Sequence, residues 1–177
     1  MRVLLDARTL IALGQIGETR LLECLDGEIE VPDEVRSEVT TEPARTNTQR
    51  FCESDDVVDK PLIGGGDAMY DMATDILEEP EQNGDVAIIA NVLTAVRLLD
   101  REIGVVSDDK RVRTVADGLG ATVTGTVGVI VRAVEEHGMT AEEGKDLVRR
   151  VDSHGLHMTG ELREKAYDLV EEAAEGE

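Results

Sequence analysis

GVVSDDKRVRTVADGLGATVTGTVG, residues 104–128, is the stretch that decides the fold. Gly104-Val105-Val106 is a short apolar run of the kind that forms a buried strand, and Ser107-Asp108-Asp109 stops it and offers a helix cap. Over residues 110–119, Val112, Val115, Ala116 and Leu119 recur at spacings of three and four, and the glycines at 118 and 120 close a helix. A second apolar run, Ala121-Thr122-Val123, follows. Strand, helix, strand in so few residues implies a parallel pair with a right-handed crossover. In open parallel sheets binding and catalytic groups collect beyond the carboxyl ends of the strands, where Asp108 and Asp109 sit. The expected class is α/β, and the expected chemistry is carboxylate chemistry.

The chain before this unit repeats the device. Arg2-Val3-Leu4-Leu5 is an apolar strand ended by Asp6, so two strands end in acid. Short helices are predicted over 9–14 and 18–25, a brief strand over 28–31, and a helix opened by Pro32 over 33–39, where Val35 and Val39 face the core. Residues 41–83 say least: one helix over 68–78, a strand at Val57-Val58, and a turn at Gly64-Gly65-Gly66 that lacks the Lys-Ser/Thr of a phosphate loop. Asn83-Gly84-Asp85 caps the most hydrophobic helix, 86–99, whose Ile88, Ile89, Val92, Leu93, Val96 and Leu99 cover more than half its circumference. Asp85 therefore starts a buried helix. Three more amphipathic helices run to residue 136, over 140–151 and over 159–174. The organisation predicted is a domain over 1–137 with a helical extension, 138–177, packed on it.

A chain of 177 residues buries a real core without disulfides or metals. No stretch is long enough to span a membrane, and MRVLLD is too short and too soon acidic for a signal peptide, so a cytoplasmic protein is expected. Cys24 and Cys52 lack zinc-ligand spacing and read as buried or half-buried thiols. The net charge of −21 is spread through every segment. At about 1 M salt the screening length falls to roughly 3 Å, so such a surface costs little there; a halophilic, archaeal source is expected.

Singly, Asp6, Glu38, Asp85, Asp108 and Asp109 read as caps or solvated acids. Jointly they fall at the ends of two strands expected to be adjacent, on one helix first turn and on one helix after a strand, and a parallel sheet can bring these to one edge. Converging carboxylates raise one another's pKa values unless a divalent cation neutralises them. Oxygen donors without His or Cys favour Mg²⁺ or Mn²⁺, and such a site suits phosphodiester hydrolysis.

The segments LLDARTLIAL, VPDEVRSEV, NGDVAIIANVL and VVSDDKRVRTVADGLGATVTGTVGVI, taken in that order, resemble the PIN domain. More narrowly they resemble a VapC-like subgroup in which D-D/E-x-x-x-R-x-x-A precedes G-x-x-V-x-G-T-x-G, and the likeness runs from residue 3 to about 162. It implies a three-layer α/β sandwich with a central parallel sheet flanked by helices, and a Mg²⁺- or Mn²⁺-dependent ribonuclease, often the toxin of a VapBC-type pair with a small antitoxin protein as partner, usually a homodimer. The family's acidic positions fall on Asp6, Glu38, Asp85 and Asp108, with Asp109 as alternate or partner for the last. Either Glu34 or Glu38 fits the second position, and Glu38 is preferred for its place after Val35. Thr9 and Ser107 fall where small polar residues assist in some members. The roles implied are metal binding by Asp6, Asp108 and Asp85, and orientation of the attacking water, or hold on a second metal, by Glu38. Arg8, Lys110, Arg111 and Arg113 are candidates for the RNA backbone or for plain surface charge.

Two other families fit less well. A haloacid-dehalogenase phosphatase needs D-x-D-x-T, and Arg8 stands in place of its second acid in Asp6-Ala7-Arg8-Thr9. A receiver domain has its acidic pair near the amino terminus. A non-catalytic PIN-like scaffold and a housekeeping RNA-processing nuclease remain as alternatives.

Overall fold

The computed structural model of the chain describes residues 1–58 and 66–176. Four short strands form one parallel sheet: β1 (Arg2–Leu5), β2 (Glu28–Glu30), β3 (Ile103–Val106) and β4 (Thr122–Thr124), in the order β2-β1-β3-β4. Leu4 pairs with Glu30 on one side and Val105 on the other, and Val106 pairs with Thr124. Leu4, Leu5, Val105 and Val106 are all buried, as continuous apolar runs in a doubly covered parallel sheet must be.

The helices are α1 (Ala7–Gln15), α2 (Asp33–Glu38), α3 (Ala44–Cys52), α4 (Gly66–Leu77), α5 (Gly84–Leu93), α6 (Lys110–Gly118), α7 (Thr126–His137), α8 (Ala141–Val151) and α9 (Gly160–Glu175). One set packs around α5, which touches α2, α4 and α6; another packs around α1 and α7, with α3, α8 and α9. The sheet is flanked by these helices, as the α/β reading requires. Ile88, Ile89, Val92 and Leu93 of α5 are fully buried, each contributing on the order of 1.5–3 kcal/mol. Thr140 and Glu143 close a reciprocal capping box on α8, and Thr159 caps α9. Among the described residues no helix is long and apolar enough to cross a membrane.

Several local expectations need correcting. The hydrophobic helix expected over 86–99 leaves α-geometry at residue 93 and continues as a wider π-turn, Thr94–Leu98. Its start is as expected, with Asn83 as the cap, its side chain accepting from the Val86 amide, and Asp85 in the first turn. The helix expected over 18–25 is a 3₁₀ turn, Thr19–Cys24. Val57 contributes only a single parallel bridge to Ile29. Helix α3 fell in the stretch that said least, and Gly64-Gly65 lies outside the described residues.

Candidate active site

Chain order runs from β1 outward to β2, and from β3 outward to β4 in the other direction, so the sheet reverses between β1 and β3. A crevice opens beyond the carboxyl ends of the strands at such a switch point. Asp6 follows β1 and Ser107-Asp108-Asp109 follows β3.

Asp6 is 2% exposed and held from three directions. Its Oδ1 accepts from the Thr9 amide at 2.7 Å, capping α1, while its Oδ2 accepts from the Ser107 hydroxyl at 2.5 Å and the Asp108 amide at 3.2 Å. Burial pushes the Asp6 carboxyl above its ordinary pKa, the Ser107 and Thr9 hydrogen bonds oppose the rise, and the Asp108 charge adds to it. The fully buried Thr9 hydroxyl lies beside Asp6 yet finds no well-formed hydrogen bond of its own among the described residues.

Glu38 ends α2 and reaches across to α5, where its Oε1 accepts from the Gly84 amide at 2.7 Å. A Cβ on residue 84 would stand 2.9 Å from Glu38 Oε2, so glycine leaves room for the carboxylate at the helix start. Glu34 is elsewhere, accepting from the Tyr70 hydroxyl at 3.1 Å. Asp85 is next in line after Gly84 and accepts no hydrogen bond among the described residues. Burial first, and then the charges of Asp109, Asp6 and Glu38, push its carboxyl up to about 6 against the opposing charge of Arg111. Four expected acids thus share one field.

The acidic pair divides. Asp109 caps α6, with Oδ1 accepting from the Arg111 and Val112 amides, and its Oδ2 lies 3.2 Å from Arg8. Asp108 turns to α7 instead: Oδ1 accepts from the Thr126 amide at 2.9 Å and Oδ2 from its hydroxyl at 2.5 Å. Gly125 permits this, since a Cβ there would lie 2.7 Å from Asp108 Oδ1. Thr126 was not singled out in the sequence, although it belongs to the G-T-x-G segment and is fully buried.

The cations also separate. Arg113 Nη1 donates to the Ser107 carbonyl at 2.6 Å, bracing the strand end. Arg111 donates to the Leu77 carbonyl at 2.9 Å and pairs with Glu79, fastening α6 to the end of α4. Arg8 and Lys110 are exposed at the rim.

Among the described residues no three His, Cys, Asp or Glu side chains close on one metal position. The carboxylates close on internal donors instead. Their chemistry nevertheless suits a hard divalent cation: every donor is oxygen, and among the described residues Asp85 accepts no hydrogen bond and the buried Thr9 hydroxyl makes no well-formed one.

A family model described as the PIN domain matches residues 2–172. The chain belongs to the PIN domain family. The match takes in every strand of this PIN domain and most of its carboxyl-terminal helix. PIN domains are in general nucleases and typically use divalent metal ions. No curated protein and no solved structure matches the chain.

Proposed function

We propose that this PIN domain is a metal-dependent endoribonuclease that hydrolyses RNA phosphodiester bonds with Mg²⁺ or Mn²⁺. The observation that carries the reading is the coupling of Asp85 to Asp109, Asp6 and Glu38 beyond the switch point of the sheet. Asp6, Asp85 and Asp109 would hold the ion, and Asp108, tied to Thr126, joins them through Asp6. A bound divalent ion supplies Lewis-acid polarisation of the phosphoryl oxygen and a lowered pKa for its water. The chain supplies the rest. Ser107 and Thr9 fix the Asp6 carboxylate; Glu38, held by Gly84, keeps Oε2 to orient the attacking water; Arg8 and Lys110 meet the phosphates.

The finer reading is the toxin of a VapBC-type pair, homodimeric, countered by a small antitoxin protein, in a halophilic archaeal cell. It rests on the motif order and on the net charge of −21. A small gene immediately upstream of this one is the expected sign of the toxin role.

Cleavage of end-labelled RNA in high KCl tests the enzyme reading. Cutting that requires Mn²⁺ and is lost in Asp85→Asn is expected; cutting unchanged by EDTA and by that substitution would overturn it. A second reading, a non-catalytic partner-binding PIN domain, draws on the internal hydrogen bonds of Asp6 and Glu38. No cleavage by the wild type under any divalent metal would favour it.

A further inference from the structure

Beside the acids, bounded by α1, the start of α7 and the start of α9, lies a cleft of about 520 Å³. Ile11, Val127, Leu156 and Leu162 give it aliphatic walls, and Arg8, Arg113 and Asp108 line its polar end. Its size falls within the roughly 300–1,000 Å³ of small-ligand sites. Leu162 stands 47% exposed on its wall, one of a few large apolar side chains in that state among the described residues.

Resting on the ribonuclease reading, we infer that this cleft is a subsite for one unstacked nucleobase next to the scissile phosphate. The charge balance supports this occupant. In a chain with 39 acidic and 18 Lys or Arg residues, two arginines line one cleft beside the carboxylates. Arg113 spends Nη1 on the Ser107 carbonyl and Arg8 faces Asp109, and each guanidinium has further N–H groups for a phosphate oxygen or the plane of a base. A chain of net charge −21 repels polyphosphate overall, and salt that screens the repulsion also weakens phosphate contacts. Affinity must then come from contacts that salt does not screen, and apolar burial of a base against Ile11, Val127, Leu156 and Leu162, with an arginine plane beside it, supplies them. Base-paired RNA keeps its bases stacked inside the helix, so the slot selects single strands.

Leu162→Trp fills the cleft from an exposed helix position, and Leu162→Ala widens it. Single-stranded RNA with randomised bases is the probe; sequencing of its products gives the base preference at each position around the cut, and steady-state kinetics give KM. Wild type is expected to show a preference at one position flanking the cut. Leu162→Trp is expected to flatten that preference and raise KM about fivefold or more, because the base loses its apolar contact in the filled cleft. Leu162→Ala is expected to alter the preference with a smaller change in KM. A duplex of the same sequence is expected to resist cleavage. Unchanged preference and KM in both Leu162 variants, with cleavage still abolished by Asp85→Asn, would overturn the subsite while leaving the ribonuclease reading intact. Cleavage that survives Asp85→Asn would overturn the reading itself.

Discussion

Glu38 Oε1 accepts the Gly84 amide at 2.7 Å, so a carboxylate on α2 supplements the Asn83 cap at the start of the helix that carries Asp85. Glu38 therefore does two jobs, one through its hydrogen bond and one through its charge. Glu38→Gln keeps an acceptor oxygen and is expected to retain stability while lowering metal affinity and activity. Glu38→Ala removes the cap as well and is expected to cost about 1 kcal/mol in chemical denaturation. Equal stability of the Gln and Ala variants would show that the cap contributes nothing.

Asp108 and Asp109 are neighbours with different duties. Asp108→Ala leaves the Thr126 amide and hydroxyl without their acceptor and is expected to destabilise the fold by about 1–3 kcal/mol, read as a shifted denaturation midpoint. Asp109→Asn keeps a capping acceptor and is expected to be milder in stability but to reduce Mn²⁺ affinity more than Thr126→Val does. The reverse ranking of affinities would place Asp108, not Asp109, nearest the ion.

The folded pKa of Asp85, about 6, lies above the roughly 3.9 of an unfolded aspartate. The folded state therefore binds the proton more tightly, and stability contributed by protonation is present at low pH and lost as pH rises through about 6. In metal-free buffer, the stability of wild type relative to Asp85→Asn is expected to improve as pH falls from about 7 towards about 4. Thermal melts of both proteins across that range measure it; parallel profiles would contradict the shift.

Self-repulsion in a chain of net charge −21 is expected to fade as salt shortens the screening length. The melting temperature should rise by several degrees between about 0.1 and 2 M KCl. A flat or falling profile would count against salt adaptation.

Much of this was legible in the sequence because apolar runs ending in acids are local. LLD and VVSDD mark two strand ends, and β1 and β3 prove to be adjacent, as their shared pattern of an apolar run followed by acid leads one to expect. Helix α3 was not legible: its buried positions are Ala44, Thr48, Phe51 and Cys52, helically spaced but too weakly apolar to stand out among Arg, Asn and Gln. The π-turn after Leu93 keeps the same residue types as the helix before it, so periodicity alone runs through it. The division between Asp108 and Asp109 escaped for another reason. Two adjacent aspartates have the same chemistry, and which one turns to α7 depends on Gly125 and Thr126, some 17 residues downstream in a different helix start. The hold of Glu38 on Gly84 spans 46 residues and is likewise a property of packing.

The central claim is that these carboxylates together hold a divalent cation, and calorimetric titration of Mn²⁺ into the protein in high KCl tests it most directly. Wild type is expected to bind with a resolvable, saturable heat, and Asp6→Asn/Asp85→Asn to show none while keeping its fold by circular dichroism. Saturable binding that survives in the folded double variant, or no binding by wild type, would contradict the claim and leave the acids as caps on α1, α5, α6 and α7.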